Sequence, residues 1–390
     1  MTGNVVRSRL DGVQTSALIA GGAGVALCIF GALADTRQFF ISYLFGYLFW
    51  LGLALGCLVL LMIHHLTGGR WGFPLRRFFE AAIMTLPLMA LLFLPLFFGL
   101  RELYPWSRPE VVAASALLRQ RHFYMNGPAF VMRAAVFFAL LVWTARTLNK
   151  WSFLQDDTAD PAPTRRLRTL SGPGIALYPF LATFAYVDWI LSLETDWYST
   201  MFVVLIIIGQ ILTALAFCIV LLAWLRSEEP YSRVVTTTNF HHLGSLLLAF
   251  VMMWAYMAFG QLLIIWSGNL PAEISWYLHR IAGGWKWVIS LIAIFHFFLP
   301  FFLLLSRDIK RRVAALATVA AVIFFAHLAD VFWLISPSFY RTGFSIHWMD
   351  AAAPAAVGGL WIAAFSARLK SRPLLVSNDP RQKDLPPDEH

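Results

Sequence analysis

The chain has 390 residues, of which 59% are hydrophobic and only 13% carry a charge, and its mean hydropathy is +0.68. A single soluble core cannot bury that much apolar surface, so the composition excludes a soluble globular protein and predicts one that uses the bilayer as its solvent. The formal net charge of +9 comes from basic residues spread between apolar stretches. Because they form no basic module, we interpret them as topology signals and partners of anionic lipid head groups, with no nucleic acid as partner.

Apolar stretches long enough to cross a membrane occur ten times along the chain. A crossing helix needs roughly 17 to 25 mainly apolar residues. The sequence therefore predicts an all-α membrane protein with ten transmembrane helices, at about 15–33, 42–63, 79–99, 129–148, 174–193, 200–225, 243–266, 285–305, 313–335 and 351–367.

The distribution of lysine and arginine predicts the orientation of these spans. If the N-terminus is cytoplasmic, 21 of the 30 basic residues fall in inner segments and 7 in outer segments, with Arg133 and Lys286 inside spans. Both termini are therefore expected to face the cytoplasm. The segment Ala32-Leu33-Ala34 resembles a cleavage site, but the apolar run before it is longer than in a usual signal peptide, so we expect a retained helix.

The connections between spans are polar, and none is large enough to form an enzyme domain. We expect the longest inner connection, 149–173, to be a polar surface segment. The polar, proline-rich tail after Arg372 is expected to be flexible or to lie on a neighbouring subunit. Three cysteines, Cys28, Cys57 and Cys218, lie singly in different spans, which argues against iron-sulfur, zinc and disulfide sites.

Two aspartates in similar sequence surroundings indicate an internal repeat. Asp188 lies in YVDWILS (186–192), and Asp330 begins DVFWLIS (330–336). Four spans separate them, so the two sets of helices would run in the same direction. This predicts two tandem four-helix bundles, helices 2–5 and helices 6–9, plus two peripheral helices. The corresponding parts of the chain are 1–38, 39–198, 199–337 and 338–390.

Ionisable residues inside membrane spans are costly and are therefore candidates for function. Each aspartate follows a cation one span earlier, Arg133 before Asp188 and Lys286 before Asp330, and we expect each acid to meet its cation in the outer half of its own bundle. His327 is three residues before Asp330 and shares a helix face with it. The hypothesis is a series of proton-transfer groups between the two surfaces, formed by Asp330, His327, Asp188, His296, Lys286, Arg133, Glu80 and His242.

Paired histidines recur near the inner surface, as His64-His65 after helix 2 and His241-His242 before helix 7. Together with Glu80 they are expected to form a polar entry open to cytoplasmic water. Structural interpretations stay open beside this one. Buried cations can snorkel, acid–base pairs can be fixed salt bridges, and the histidines can be polar caps or packing groups.

Two alternatives for Asp330 also stay open. An acid that burial keeps protonated is a proton carrier, whereas a tight pair with Lys286 makes it structural. Haem has to be considered as well, because membrane histidines often ligate it. His296 and His327 are the only deep histidines and are expected at different depths, which disfavours a pair of axial ligands. We therefore expect no metal and no redox cofactor in this chain.

Seven short segments carry a resemblance to a known family: FFISYLFG (39–46), HHLTGGRWG (64–72), HFYMN (122–126), DWILSLE (188–194), WYST (197–200), FHF (295–297) and PFFLLLSR (300–307). They resemble ActF, the NrfD-like integral membrane subunit of bacterial alternative complex III. The resemblance extends from about residue 39 to residue 312, and the remainder agrees in the number of spans. The sister subunit ActC shares the general plan.

This resemblance implies an NrfD-like fold in a complex of the bacterial inner membrane that oxidises quinol in a respiratory or photosynthetic electron transport chain. In that family, electrons pass through iron-sulfur and haem c subunits toward a terminal oxidase, and the quinol pocket is placed in ActC. The implied partners are an ActC-like subunit, an iron-sulfur subunit and haem c subunits. The chain itself is implied to hold no redox cofactor and to carry protons.

Two other classes of function stay open. A stand-alone secondary transporter would also show repeats and buried charge, with helices broken near the midplane; Pro87, Pro95, Pro179 and Pro300 are weak candidates for such breaks. A purely structural anchor would keep its fold and its partners when every buried acid is neutralised. Co-purification of haem c with the chain separates a complex subunit from a transporter.

Overall fold

The computed structural model describes residues 3–158, 160–341, 343–376 and 378–379. Within these ranges every regular element is helical and no strand occurs. The end of the tail, residues 380–390, lies outside the described residues. The first part of the tail packs on this chain itself, since the Tyr231 hydroxyl donates to the carbonyl of Leu374 at 3.2 Å and the side chain of Val376 is buried.

Ten helices in the described ranges are long and apolar enough to cross a membrane, which confirms the ten predicted spans. The chain therefore has the character of a multi-pass membrane protein. The helices are α1 (Val6–Ala34), α2 (Thr36–Thr67), α3 (Arg76–Phe98), α4 (Gly127–Asp157), α5 (Ala162–Leu193), α6 (Thr200–Leu225), α7 (Thr237–Gly268), α8 (Trp285–Leu305), α9 (Val313–Ser338) and α10 (Met349–Lys370).

The connections contain further short helices. The predicted inner connection 149–173 is much shorter in the structure, because polar residues continue α4 to Asp157 and α5 begins at Ala162. The shorter helices are Arg70–Gly72, Leu100–Leu103, Pro105–Ser107, Pro109–Ala114, Ala116–Arg121, Tyr231–Val234, Pro271–Ile281 and Arg307–Arg311.

Helix α2 lies at the centre of the protein, and its most apolar stretch is buried on all faces. A helix that is hydrophobic all round is stable only where other helices surround it. The Asp35 side chain accepts a hydrogen bond from the Gln38 amide at its N-terminus, and Gly68 ends it with a φ of 69°. Glycine adopts that left-handed conformation without strain. Helix α2 contacts α3, α5, α6 and α10.

Helices α1 and α10 pack closely along small residues. A Cβ added to Gly21 would lie 3.0 Å from the backbone of Gly359, and one added to Gly24 would lie 2.6 Å from the backbone nitrogen of Ala356. Small residues at such positions let two helix backbones approach each other in a membrane. The pair is attached to the rest of the protein mainly where α10 packs on α2.

Two spans are interrupted near prolines. Helix α3 consists of three pieces, and Pro87 and Pro95 lie at the starts of the second and third pieces. Helix α8 contains a π-helical turn, Ala293–Phe298, directly before Pro300. Proline has no amide hydrogen with which to continue the regular bonding pattern, and π turns are frequent at functional sites. One side of the turn, which carries the buried His296, packs against α7 and α9.

Candidate functional site

Arg133 on α4 and Asp188 on α5 form a two-pronged ion pair. Arg133 Nε lies 2.6 Å from Asp188 Oδ2, and Nη2 lies 2.9 Å from Oδ1. The third nitrogen of Arg133 donates to the backbone carbonyl of Tyr124 at 2.9 Å, and the guanidinium lies 3.8 Å from the centroid of the Tyr124 ring. Parallel hydrogen bonds of this kind fix both geometry and charge. The structure thus brings the predicted pair together, and both oxygens of Asp188 accept a hydrogen bond from Arg133.

Lys286 does not meet Asp330, so the expectation of one acid and one base in each half is wrong for the second half. Lys286 is exposed, its Nζ lies 5.5 Å from the centroid of the Trp287 ring, and no ion pair joins it to Asp330 in the described part of the chain. The inward position of this first helical turn belongs to Trp285, which is fully buried and donates to the Tyr340 carbonyl at 3.1 Å. Lys286, the next residue, therefore points away.

Asp330 instead lies beside a histidine of its own helix. His327 Nδ1 is 3.4 Å from Asp330 Oδ2, and both side chains are buried. Residues three apart on a helix are neighbours on one face, so the structure brings this predicted pair together. The donor and acceptor are slightly farther apart than in an ordinary hydrogen bond. Asp330 thus keeps hydrogen-bonding capacity that Asp188 has already used.

His296 joins this group from α8. Its ring is stacked on the His327 ring with 5.4 Å between centroids, and the Trp254 ring meets it edge-on at 4.3 Å. The prediction that the two histidines lie at different depths is wrong. Counted from Trp285 in α8 and from Ser338 in α9, each histidine lies 11 residues into its helix, so a regular rise of about 1.5 Å per residue already gives them similar depths. His296 itself lies within the π turn of α8. Both of its ring nitrogens lack a hydrogen-bond partner among the described residues.

Helix α6 fits closely against this group of histidines. A Cβ added to Gly209 would lie 2.6 Å from His327 Cε1, so a larger residue would displace the imidazole. The next residue, Gln210, faces α5: it accepts a hydrogen bond from the Tyr178 hydroxyl at 2.7 Å and donates one to the Tyr186 hydroxyl. Sequence reasoning missed Gln210, although a glutamine in the middle of an apolar span was an available signal.

Glu80 lies at the start of α3 in a network of arginines. Arg76 Nε is 2.9 Å and Arg77 Nη1 is 2.6 Å from its carboxylate, and the Ser152 hydroxyl donates to it at 2.6 Å. The side chain is buried, so its surroundings differ from the water-filled entry expected from the sequence. The carboxylate ties the start of α3 to α4.

The paired histidines do not share one environment. His64 and His65 are buried, and the His64 ring packs edge-on against Trp71 with 5.9 Å between centroids. His242 is exposed at the start of α7, and within the described ranges no ion pair joins it to Glu80. The structure therefore brings the predicted inner groups to one end of the helices without joining them into one cluster.

A buried ion pair that sequence reasoning missed lies at the other end of the helices. Arg280 Nη1 is 2.6 Å from Glu194 Oε1, its Nη2 donates to the Leu334 carbonyl and the Ser338 hydroxyl at 2.9 Å each, and its guanidinium stacks on Trp276. Burial opposes ionisation of Glu194, yet the adjacent Arg280 and Ser338 hold the pKa of Glu194 below its ordinary value. The sequence placed Arg280 in a connection, where basic residues are usually solvated. A tryptophan one turn earlier was the available signal.

No group of three or more His, Cys, Asp or Glu residues that could hold a metal occurs in the described ranges. Cys28, Cys57 and Cys218 are free and buried. A comparison with protein-family models found no match to this chain, and a search of curated proteins found no relative.

Proposed function

We propose that this chain is the proton-carrying membrane subunit of a quinol-oxidising complex similar to alternative complex III. The observation that carries the proposal is the continuous buried group formed by His296, His327 and Asp330. The ring of His296 stacks on that of His327, and His327 lies beside the Asp330 carboxylate. All three side chains are buried within apolar helices. Ionisable groups at such depth are rare and are usually found on ion or proton pathways.

The chemistry of these groups suits proton transfer. A neutral imidazole accepts a proton at one nitrogen and releases one from the other. The 3.4 Å between His327 Nδ1 and Asp330 Oδ2 shortens to hydrogen-bond length with a movement of about 0.5 Å. Rotation of the His296 ring, whose nitrogens have no partner in the described chain, would then pass the proton along the stack. Asp188 is unsuited to this role, because Arg133 already occupies both of its oxygens.

The finer architecture belongs to the same proposal. Helices α2–α5 form one four-helix bundle, α6–α9 form the second, α1 and α10 are peripheral, and both termini are cytoplasmic. The contacts of α2 with α3 and α5, and of α6 with α7 and α9, support the bundles. The excess of lysine and arginine in the inner segments supports the orientation.

In this proposal the electrons do not pass through the chain. An ActC-like subunit holds the quinol, iron-sulfur and haem c subunits conduct electrons toward a terminal oxidase, and the chain lies beside them in the inner membrane of a bacterium. The support for these partners is the sequence resemblance. Isolation of the chain in mild detergent tests them: haem c absorbance should accompany it, whereas a stand-alone transporter would be isolated without haem.

The Asp330→Asn substitution tests the proton pathway, because it keeps the shape of the side chain and removes its titration. We expect the assembled complex to keep its partners and to oxidise quinol in detergent. In sealed vesicles the ratio of protons moved to electrons transferred should fall by the share that passes through this chain. The measurement is proton movement followed with a pH-sensitive dye during quinol oxidation.

The matched control is Asp188→Asn, which changes the corresponding residue of the other half. It should weaken assembly, because it leaves Arg133 without its partner, but the complexes that do assemble should keep the normal ratio. A normal proton-to-electron ratio in the Asp330→Asn complex would contradict the proposal. Loss of assembly in that variant would favour a structural role for Asp330.

A further inference from the structure

A large cavity lies between α7, α8, α9 and the helix Pro271–Ile281. Its volume is about 590 Å³, which falls in the range of small-molecule binding pockets. Aromatic side chains form much of its wall, among them Trp276, Tyr277, Phe297 and Trp333. Such walls favour a planar ring, which can stack on or meet the edges of its neighbours.

Several polar groups line the same cavity, among them the Asp330 carboxylate, the Gln261 amide, the Trp254 indole and the Tyr277 hydroxyl. Gln261 Oε1 and Trp254 Nε1 are buried and have no hydrogen-bond partner among the described residues. Buried polar atoms in proteins are almost always satisfied, by protein, water or ligand. An acyl chain alone would leave both atoms unpaired, whereas a ligand with a hydroxyl group would offer a partner to at least one of them.

The cavity opens toward the apolar outer surface of the helices. Tyr256, Phe259 and Phe298, which are 69%, 64% and 49% exposed, lie at its edge. In a membrane this surface faces hydrocarbon, so a ligand enters from the bilayer and carries an apolar tail. No lysine or arginine lines the cavity, so nothing there would balance an anionic head group.

We infer that this cavity binds a neutral, lipid-soluble molecule with a phenolic head group. Its hydroxyl donates to the acceptor oxygens of Gln261 or Asp330, and its oxygen accepts from Trp254 Nε1. The ring packs among the aromatic side chains, and the tail extends between α7 and α8 into the bilayer. This site is a binding function in its own right and does not depend on proton conduction.

The other half of the protein offers a natural comparison. A cavity beside Asp188 has a volume of about 170 Å³ and is also largely apolar. Its carboxylate is fully engaged by Arg133, so it presents no comparable acceptor. We expect no phenol binding there.

The test uses the purified protein, with whatever partners it retains, in lipid nanodiscs. The probes are 4-dodecylphenol and its methyl ether, 4-dodecylanisole, which has the same ring and tail but no donor. Calorimetric titration should give saturable binding of the phenol, with the ether about tenfold weaker. A photoreactive derivative of the phenol should label peptides from α7, α8 or α9.

Two variants locate the interaction. Gln261→Leu should reduce the preference for phenol over ether to about threefold or less, and Asp188→Asn should leave it unchanged. Equal affinity of the two probes for the unaltered protein would overturn the inference, because it would show that the cavity takes only an apolar chain. Absence of saturable phenol binding, or labelling confined to other helices, would overturn it as well. The comparison of probes on the unaltered protein stands even where Gln261→Leu fails to fold.

Discussion

Asp188 and Asp330 occupy matching places in two similar sequence segments, yet their partners differ in kind. Two guanidinium nitrogens of Arg133 donate hydrogen bonds to Asp188. The third nitrogen donates to the carbonyl of Tyr124 and so fixes the arginine. Asp330 lies against an imidazole at 3.4 Å and borders a large cavity. One carboxylate is fixed in an ion pair, and the other has no cation beside it in the described part of the chain and borders a cavity.

Two similar sequence segments thus place an aspartate in two different environments. A guanidinium stays charged at every physiological pH, and here it holds both oxygens of its carboxylate partner in place. An imidazole can accept a proton at one nitrogen and release one from the other, so the proposed function assigns transfer to the carboxylate beside it. The environment of each acid is therefore set by its contact partner, Arg133 on the neighbouring helix or His327 on the preceding turn. The residues next to each acid in sequence do not identify that partner.

The largest effect is expected from removing the cation of the Arg133–Asp188 pair. Arg133→Leu leaves the Asp188 carboxylate buried without a partner, and we expect it to destabilise the protein by about 3 kcal/mol. Unfolding followed by far-UV circular dichroism in mixed micelles measures the loss. The double variant Arg133→Leu with Asp188→Leu should recover most of it, because an apolar pair replaces the ion pair. An unchanged stability in the single variant would show that the pair is not fixed.

The second test displaces the side chain of His327, which lies beside Asp330. Gly209→Ala introduces a Cβ 2.6 Å from His327 Cε1, so the imidazole must move. We expect a loss of about 1 to 3 kcal/mol, as for overpacking elsewhere, together with a reduced proton-to-electron ratio. Gly260→Ala on α7 is the matched control, because its added methyl meets nothing within 4 Å. Equal effects of the two substitutions would contradict the close fit between α6 and His327.

The ten spans could be predicted from the sequence because hydropathy depends only on composition within a window. The helix ends could not be predicted in this way. Helix α4 continues through polar residues to Asp157, and α5 already begins at Ala162. The candidate site was predicted in part. The spacing of His327 and Asp330 places them on one face of any regular helix.

The rest of the site depends on features that a one-dimensional pattern does not contain. Lys286 differs from Arg133 because Trp285 takes the inward position of its helical turn. His296 stacks on His327 because of how α8 is rotated against α9, which the sequence pattern does not specify. Arg280 is buried by a partner, Glu194, that is 86 residues away in sequence. Each of these outcomes is decided by tertiary packing.

A third test uses acid on a second buried ion pair, the one between Arg280 and Glu194. The pKa of Glu194 lies below its ordinary value because of Arg280 and Ser338. A depressed pKa in the folded state contributes stability that is present above the unfolded value, about 4.3, and is lost as pH falls through the folded value. The unaltered protein should therefore lose more stability below about pH 4 than Glu194→Gln does. Parallel stability–pH curves for the two proteins would contradict the assignment.

The smallest effect on stability is expected from neutralising Lys286. Sequence symmetry equates Lys286 with Arg133, and by that argument its neutralisation would release Asp330 and destabilise the protein as strongly as loss of Arg133. In the structure Lys286 is exposed and its Nζ lies near Trp287, so Lys286→Gln removes at most a surface cation–π contact. We expect a change in unfolding free energy within about 0.5 kcal/mol and an unaltered proton-to-electron ratio. Arg133→Gln, measured in the same micelles, is the control and should be destabilised several times more. A loss in Lys286→Gln comparable to that control would mean that Asp330 has a permanent cation after all, and would remove the distinction between the two halves.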